Sequence, residues 1–268
     1  MKKLATTLVI RPAARGGKYL GPDAANANHK SALVLILNPR TEEIVTYGIV
    51  DASNPKSAGP ANLMDPVSRG APFAVDSNTV QVQLGVEISE PTDFRVLIFG
   101  PLKHLDQARL AQADITVLPG VNVGSGPQNP EGLVIEVPGL CISNVSADWE
   151  GSQVNCTAKV TMMCGCPISN KTDWPWPDTN FSVQLVTYMK SEAVHYYTLA
   201  FDKTSGLIST FTGKWPNQTA QGDSVAHAWI YASEPKLGNQ GKYRIFPSFT
   251  LQTPLSPEAH RILSETGH

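Results

Sequence analysis

Residues 79–89 alternate strictly in polarity, and no other feature of the sequence limits the fold as much. Val80, Val82, Leu84, Val86 and Ile88 share one side of an extended chain, and Thr79, Gln81, Gln83, Gly85 and Glu87 share the other. Successive side chains of a strand point to opposite faces, so the pattern is that of a half-buried antiparallel strand. A turn rich in polar residues at 89–93 leads into a second apolar run at 94–99, closed by Gly100-Pro101. Residues 32–37 and 44–50 flank a polar loop and read as a hairpin. The stretch 54–72 is rich in Pro, Gly, Ala and Ser and reads as a long surface loop. Residues 4–10 also alternate and are expected to form the first strand. The other reading of this segment, a targeting remnant, meets an apolar part that stops at Arg11-Pro12. The expected helix is short and spans 102–112.

Composition supports the same class. Charged residues make up only 16% of the chain and hydrophobic residues 41%, which excludes a disordered chain and a coiled coil. Glycine and proline number 21 each, the punctuation that turn-rich β proteins need. A net charge of −2, with no run of Lys and Arg, offers nothing to draw in nucleic acid. No apolar run is long enough to span a bilayer as a helix. A cytoplasmic chain and an exported one lacking its leader are both compatible with this composition.

The densest cluster of Gly and Pro lies at 119–132, and the domain boundary is expected there. The expected organisation is an N-terminal β-sandwich over 1–118, a linker over 119–131, and a C-terminal β-sandwich over 132–268 ending in a short tail. Strands are expected at 132–142, 153–166, 180–189, 195–201, 207–211, 224–232 and 243–251. Seven strands with turn signals between them, ending in a hairpin through Gly238-Asn239-Gln240-Gly241, resemble the immunoglobulin-like or fibronectin-like superfold. The likeness covers most of 130–252 and, less clearly, 1–118. It implies an all-β fold of two tandem antiparallel sandwiches, and it implies no chemistry. The cysteine pair that bridges the sheets in many immunoglobulin domains is absent from 224–232.

Two strings are candidates for a site. In Val160-Thr161-Met162-Met163-Cys164-Gly165-Cys166-Pro167, an extended chain would put Met162, Cys164 and Cys166 on one face. These are three soft sulfur donors of the kind that suits copper(I). The alternatives are buried structural thiols, which the apolar company of Ala158 and Val160 favours, and a disulfide to Cys141. The second string, Asp173-Trp174-Pro175-Trp176-Pro177-Asp178, is a stiff loop. Its residues Trp174, Trp176, Asp173 and Asp178 are candidate contacts for a protein partner or glycan, and the competing reading folds both rings back over the end of the sandwich. His195 and His227, each beside aromatic residues, are candidate metal ligands or an acid–base pair. No nucleophile, phosphate-binding or zinc motif occurs.

The expected function is therefore a non-catalytic binding or assembly protein that presents loops to a protein partner, to another copy of itself, or to a glycan. The competing expectation is a metal- or thiol-dependent accessory protein using Met162, Cys164 and Cys166, with copper as the cofactor. A third is an enzyme with its site between the two modules.

Overall fold

The computed structural model describes residues 2–16, 20, 30–51, 81–124, 132–150, 153–204, 209–216, 225–246 and 255–265. The described residues are all-β apart from two single turns of 3₁₀ helix and one α-helix, and the chain divides into two compact units.

The first unit holds β1 (Leu4–Ala14), β2 (Lys30–Leu37), β3 (Ile44–Asp51), β4 (Val82–Ile88), β5 (Thr92–Gly100), β6 (Arg109–Val117) and β7 (Leu133–Val137). They form a three-stranded sheet, β4-β1-β7, and a four-stranded sheet, β3-β2-β5-β6. The two sheets face one another: a Cβ placed on Gly48 of β3 would sit 2.6 Å from Val82 and 2.9 Å from Leu84 of β4. In β4 the sequence alternation is realised residue for residue, with Val82, Leu84, Val86 and Ile88 buried and Gln83, Gly85 and Glu87 exposed.

β2 has no polar face because both of its sides are covered. Ala32, Val34 and Ile36 are buried, and so are Leu33, Leu35 and Leu37, which cluster with Phe99, Leu102 and Ala108. The helix α1 (Pro257–Glu265) completes this cluster with Ala259, Ile262 and Leu263. Its start is encoded locally: Ser256 precedes Pro257, and its Oγ accepts from the Ala259 N–H at 3.3 Å. The expected short tail is thus a helix that seals the first unit.

The boundary between units falls at Val137/Pro138, not within 119–131. The reason is hydrogen bonding to β1. The Val9 N–H donates to Val123 O at 2.8 Å, and the Val123 N–H donates to Thr7 O at 2.9 Å. β7 then runs parallel to the end of β1, Ile10 opposite Leu133 through Ala14 opposite Val137. Gly124, at φ +90, lies so close to Val9 that any side chain would collide with it. The expected strand 132–142 is consequently split at Pro138-Gly139, its halves belonging to different units. The expected helix at 102–112 is also corrected: only Leu102–His104 forms a 3₁₀ turn, and β6 begins at Arg109. The expected loop at 54–72 lies outside the described residues.

The second unit, 138–252, holds β8 (Leu140–Glu150), β9 (Gln153–Met162), β10 (Ser182–Met189), β11 (Val194–Phe201), β12 (Thr210–Pro216), β13 (Val225–Glu234) and β14 (Asn239–Phe246). Their order is β14-β13-β10-β11-β12-β9-β8. The β11–β12 ladder is confined to Ala200/Thr212 and Phe201/Phe211, so the sheet bends there into two layers. Its end strands come together: a Cβ on Gly241 of β14 would stand 2.6 Å from Leu140 O of β8. Between the layers lie Leu140, Ile142, Val154, Ala158, Val160, Val183, Leu185, Phe211, Ile230 and Ala232, all buried. The fully buried Glu234 fixes the β13–β14 hairpin, accepting from the Leu237 N–H and from Asn239 Nδ2, each at 3.2 Å. Asn239 Oδ1 in turn accepts from the Gly139 N–H at 2.9 Å.

Candidate functional site

The outer face of β10, β11, β13 and β14 carries an aromatic and cationic concavity of about 580 Å³. Register places its residues in cross-strand rows. Tyr196 of β11 lies opposite Val186 of β10, Val186 opposite Trp229 of β13, and Trp229 opposite Arg244 of β14. In the next row Gln184 faces Tyr231, which faces Lys242. On the other side Tyr188 faces His227. Adjacent side chains on one sheet face stand about 5 Å apart across strands, so these rows form a continuous surface.

Two observations mark the face as unusual. Tyr196 is 65% exposed and Tyr188 42%, although both stand on strands, where a buried position is normally one residue away. Two cations also attend the indole of Trp229: Lys242 Nζ lies 5.6 Å from the ring centroid and the Arg244 guanidinium carbon 5.2 Å. Arg244 Nη2 donates to His227 Nδ1 at 3.0 Å. Guanidinium has no acceptor, so this contact assigns the lone pair to Nδ1 and leaves Nε2–H as the ring's donor. The nine described residues lining the concavity include Lys242, Arg244 and His227 and no carboxylate. The face is rich in donors and π surface.

No family model and no curated protein matches the chain. Among solved structures it is similar to a DUF3823 family protein from Bacteroides ovatus, at 10% identity over 89% of this chain and 96% of that one, with a TM-score of 0.28. A DUF3823 family protein from Parabacteroides merdae is similar at 7% identity over 90% and 98%, with a TM-score of 0.24. A marsupial T cell receptor is similar at 8% identity over 96% and 76%, with a TM-score of 0.25. The sandwich architecture is read from the sheets described above. Among the described residues no helix is long and apolar enough to cross a membrane.

The residues expected from sequence fall elsewhere. β9 ends at Met162, and the chain then reverses in a tight turn with Gly165 at φ +74. Within it the Gly165 N–H donates to Met162 O at 2.8 Å and the Met162 N–H to Cys166 O at 3.1 Å. The extended backbone that was to align Met162, Cys164 and Cys166 therefore stops before Cys164. The sulfur that meets a thiol is Met163, whose Sδ accepts from the buried Cys141 Sγ at 3.5 Å. All four cysteines are thiols and Cys141, Cys156 and Cys164 are buried, as the structural-thiol alternative had it, and the alternative of a disulfide to Cys141 is not formed. Burial pushes the Cys156 thiol up to about 12, with Asp148 adding to the effect. Among the described residues no three of His, Cys, Asp and Glu stand close enough to hold a metal.

The tryptophan loop does not project. Trp176 is 4% exposed, and Trp174 donates its Nε1–H to Pro167 O at 2.7 Å. The Ser169 N–H donates to Trp176 O at 3.1 Å and the Asp178 N–H to Ser169 O at 3.0 Å, which pins the loop to residues 167–169. Asp173 stays exposed at the turn and Asp178 is half-buried at the following 3₁₀ turn. His195 and His227 lie on opposite faces of the sheet, since Thr187 pairs with His195 and Tyr188 with His227. They cannot act as a pair.

Proposed function

We propose that this chain is a non-catalytic binding protein that takes a glycan on the outer face of β10, β11, β13 and β14. The observation that carries the reading is the set of outward-facing rings, Tyr188, Tyr196, Trp229 and Tyr231, on adjacent strands with hydrogen-bonding groups at their edge. The C–H-bearing face of a pyranose ring is apolar and weakly positive, and it packs on the negative face of an indole or phenol. The polar rim then orients the hydroxyl groups, as a few convergent donors do in small-ligand sites. Strands hold the rings in fixed register, so little side-chain order is lost on binding. A protein partner fits less well, because a standard interface takes about 20–30 residues a side and nine described residues line this concavity.

The test is retention of the full chain on immobilised polysaccharides and on an oligosaccharide array, beside Trp229→Ala. Retention on at least one pyranose polymer, lost in the variant, is the expected result. Failure to retain any glycan, or equal retention by the variant, would overturn the reading.

A further inference from the structure

We infer that the glycan is a straight chain of β-linked pyranoses, joined through opposite ring positions, that lies across the strands with alternate sugars stacked on Tyr196 and Trp229. The inference rests on the glycan reading above and adds the linkage class of the ligand and its direction. Tyr196 of β11, Val186 of β10 and Trp229 of β13 stand in one cross-strand row, and all three line the concavity. Neighbouring strands are about 4.8 Å apart, which places Tyr196 and Trp229 about 10 Å apart with the small side chain of Val186 between them. A pyranose linked through opposite ring positions advances a chain by close to one strand spacing. Two spacings then match two sugars, and the unit over Val186 joins those on the two rings. Each unit of such a chain is turned over relative to its neighbour, so alternate units present like faces to Tyr196 and Trp229.

The polarity of the face follows the same plan. Residues i and i+2 on a strand share a face with their Cα atoms roughly 7 Å apart. The row of Val186 and Trp229 is therefore flanked by Gln184 and Tyr231 on one side and by Tyr188 and His227 on the other. Every one of these flanking side chains carries a hydrogen-bonding group. A chain of pyranoses linked equatorially at both ends is a flat ribbon, with C–H bonds on its faces and hydroxyl groups along its edges. Laid along the row, it sets its faces on the rings and its edges against the flanking groups. An α-linked chain joins an axial to an equatorial position and coils, so its units do not stay level over such a row. Tyr196 is the residue that gives the face its length. At 65% exposed it adds little to the packing of the sheet, and its ring carries the stacking surface two strands away from the indole.

Titration calorimetry on the full chain would compare cellohexaose, mannohexaose, xylohexaose and chitohexaose, all straight and β-linked, with maltohexaose, which is α-linked. At least one straight chain is expected to bind at least about tenfold more tightly than maltohexaose, the order of one aromatic contact. For the sugar that binds, affinity is expected to climb from the disaccharide to the tetrasaccharide and then level off. Tyr196→Ala is expected to weaken the tetrasaccharide by about tenfold and the disaccharide by less than about twofold, since the disaccharide still stacks on Trp229. Tyr47→Ala, at an exposed tyrosine of the first unit, is expected to change neither. Far-ultraviolet circular dichroism and the unfolding midpoint check that each variant folds. Equal affinity for disaccharide and hexasaccharide, maltohexaose bound as tightly as any straight chain, or an equal loss at both lengths in Tyr196→Ala would overturn the straight-chain inference and leave the glycan reading standing. Retention on a polysaccharide without binding of any of these hexasaccharides would do the same. Failure of every glycan in both experiments would overturn both readings.

Discussion

On β5 and β6 the outward residues answer one another. Arg95 Nε donates to Asp114 Oδ1 at 2.9 Å and its Nη2 to Asp114 Oδ2 at 3.2 Å, and Thr116 Oγ1 donates to Asp93 Oδ1 at 2.7 Å. The Arg95 guanidinium holds the Asp114 carboxyl below its usual range, chiefly through this hydrogen bond. On β10, β11, β13 and β14 the outward residues are mostly rings and cations, and none of the described residues that line the concavity is a carboxylate. Both faces belong to antiparallel strands of similar length, so geometry does not separate them. Side-chain type does. On the first face Arg95 bonds to Asp114 and Thr116 to Asp93 across the strands, whereas the second face carries rings beside cations.

Four experiments sharpen or break that contrast, the largest effect first. Ile262→Ala removes a buried side chain that covers the outer side of β2, at a cost of about 2–5 kcal/mol. Denaturant unfolding should register that loss while glycan affinity, measured on protein still folded, stays constant. Any loss of affinity in folded protein would tie the helix to the site and undo the separation of the two faces. Trp229→Ala should weaken ligand binding by at least about 2 kcal/mol, roughly thirtyfold, with stability changed by about 0.5 kcal/mol or less. A large stability loss instead would make the indole a packing residue.

The third experiment concerns pH. Cys156 has a folded value raised to about 12 from 9.0, so its contribution to stability is complete below 9 and is lost as pH rises towards 12. Across that window unfolding free energy should fall by about 1.4 kcal/mol per pH unit from this group, a slope removed in Cys156→Ala. Native thiol titration at pH 8 should leave Cys141, Cys156 and Cys164 unreactive, since all three are buried. The smallest effect belongs to the paired face. Asp114→Asn should leave the neutral-pH unfolding midpoint nearly unchanged and remove a stability contribution that otherwise fades as acid protonates the carboxylate. A large shift at neutral pH would show that an exposed ion pair matters more than its setting implies.

The strands were legible because half-burial writes itself as alternation, as in Val82 to Ile88. β2 was legible for the opposite reason, an unbroken apolar run. What hid α1 is that only Ala259, Ile262 and Leu263 face inward, three residues too few to stand out, although Ser256 before Pro257 was a readable start. The aromatic face was half visible: His227, Trp229 and Tyr231 share parity in the sequence. Its cations were not, because their register depends on the turn at 235–238. A hairpin centred at 238–241 assigns different partners to Lys242 and Arg244. The Met162–Cys166 string failed for a related reason, since Gly165 at positive φ ends the period-two rule on which the alignment depended.

The helix that seals the first unit also sets an order of events. Residues 253–268 belong with residues 1–137, and the whole of 138–252 intervenes. During synthesis the β-strands of the first unit therefore emerge before Ala259, Ile262 and Leu263 exist to pack on Leu33, Leu35 and Leu37, and that part of the cluster waits until the entire second unit has been made. A nascent chain arrested anywhere in 138–252 would lack the helical part of that cluster, and synthesis of residues 257–265 would supply it.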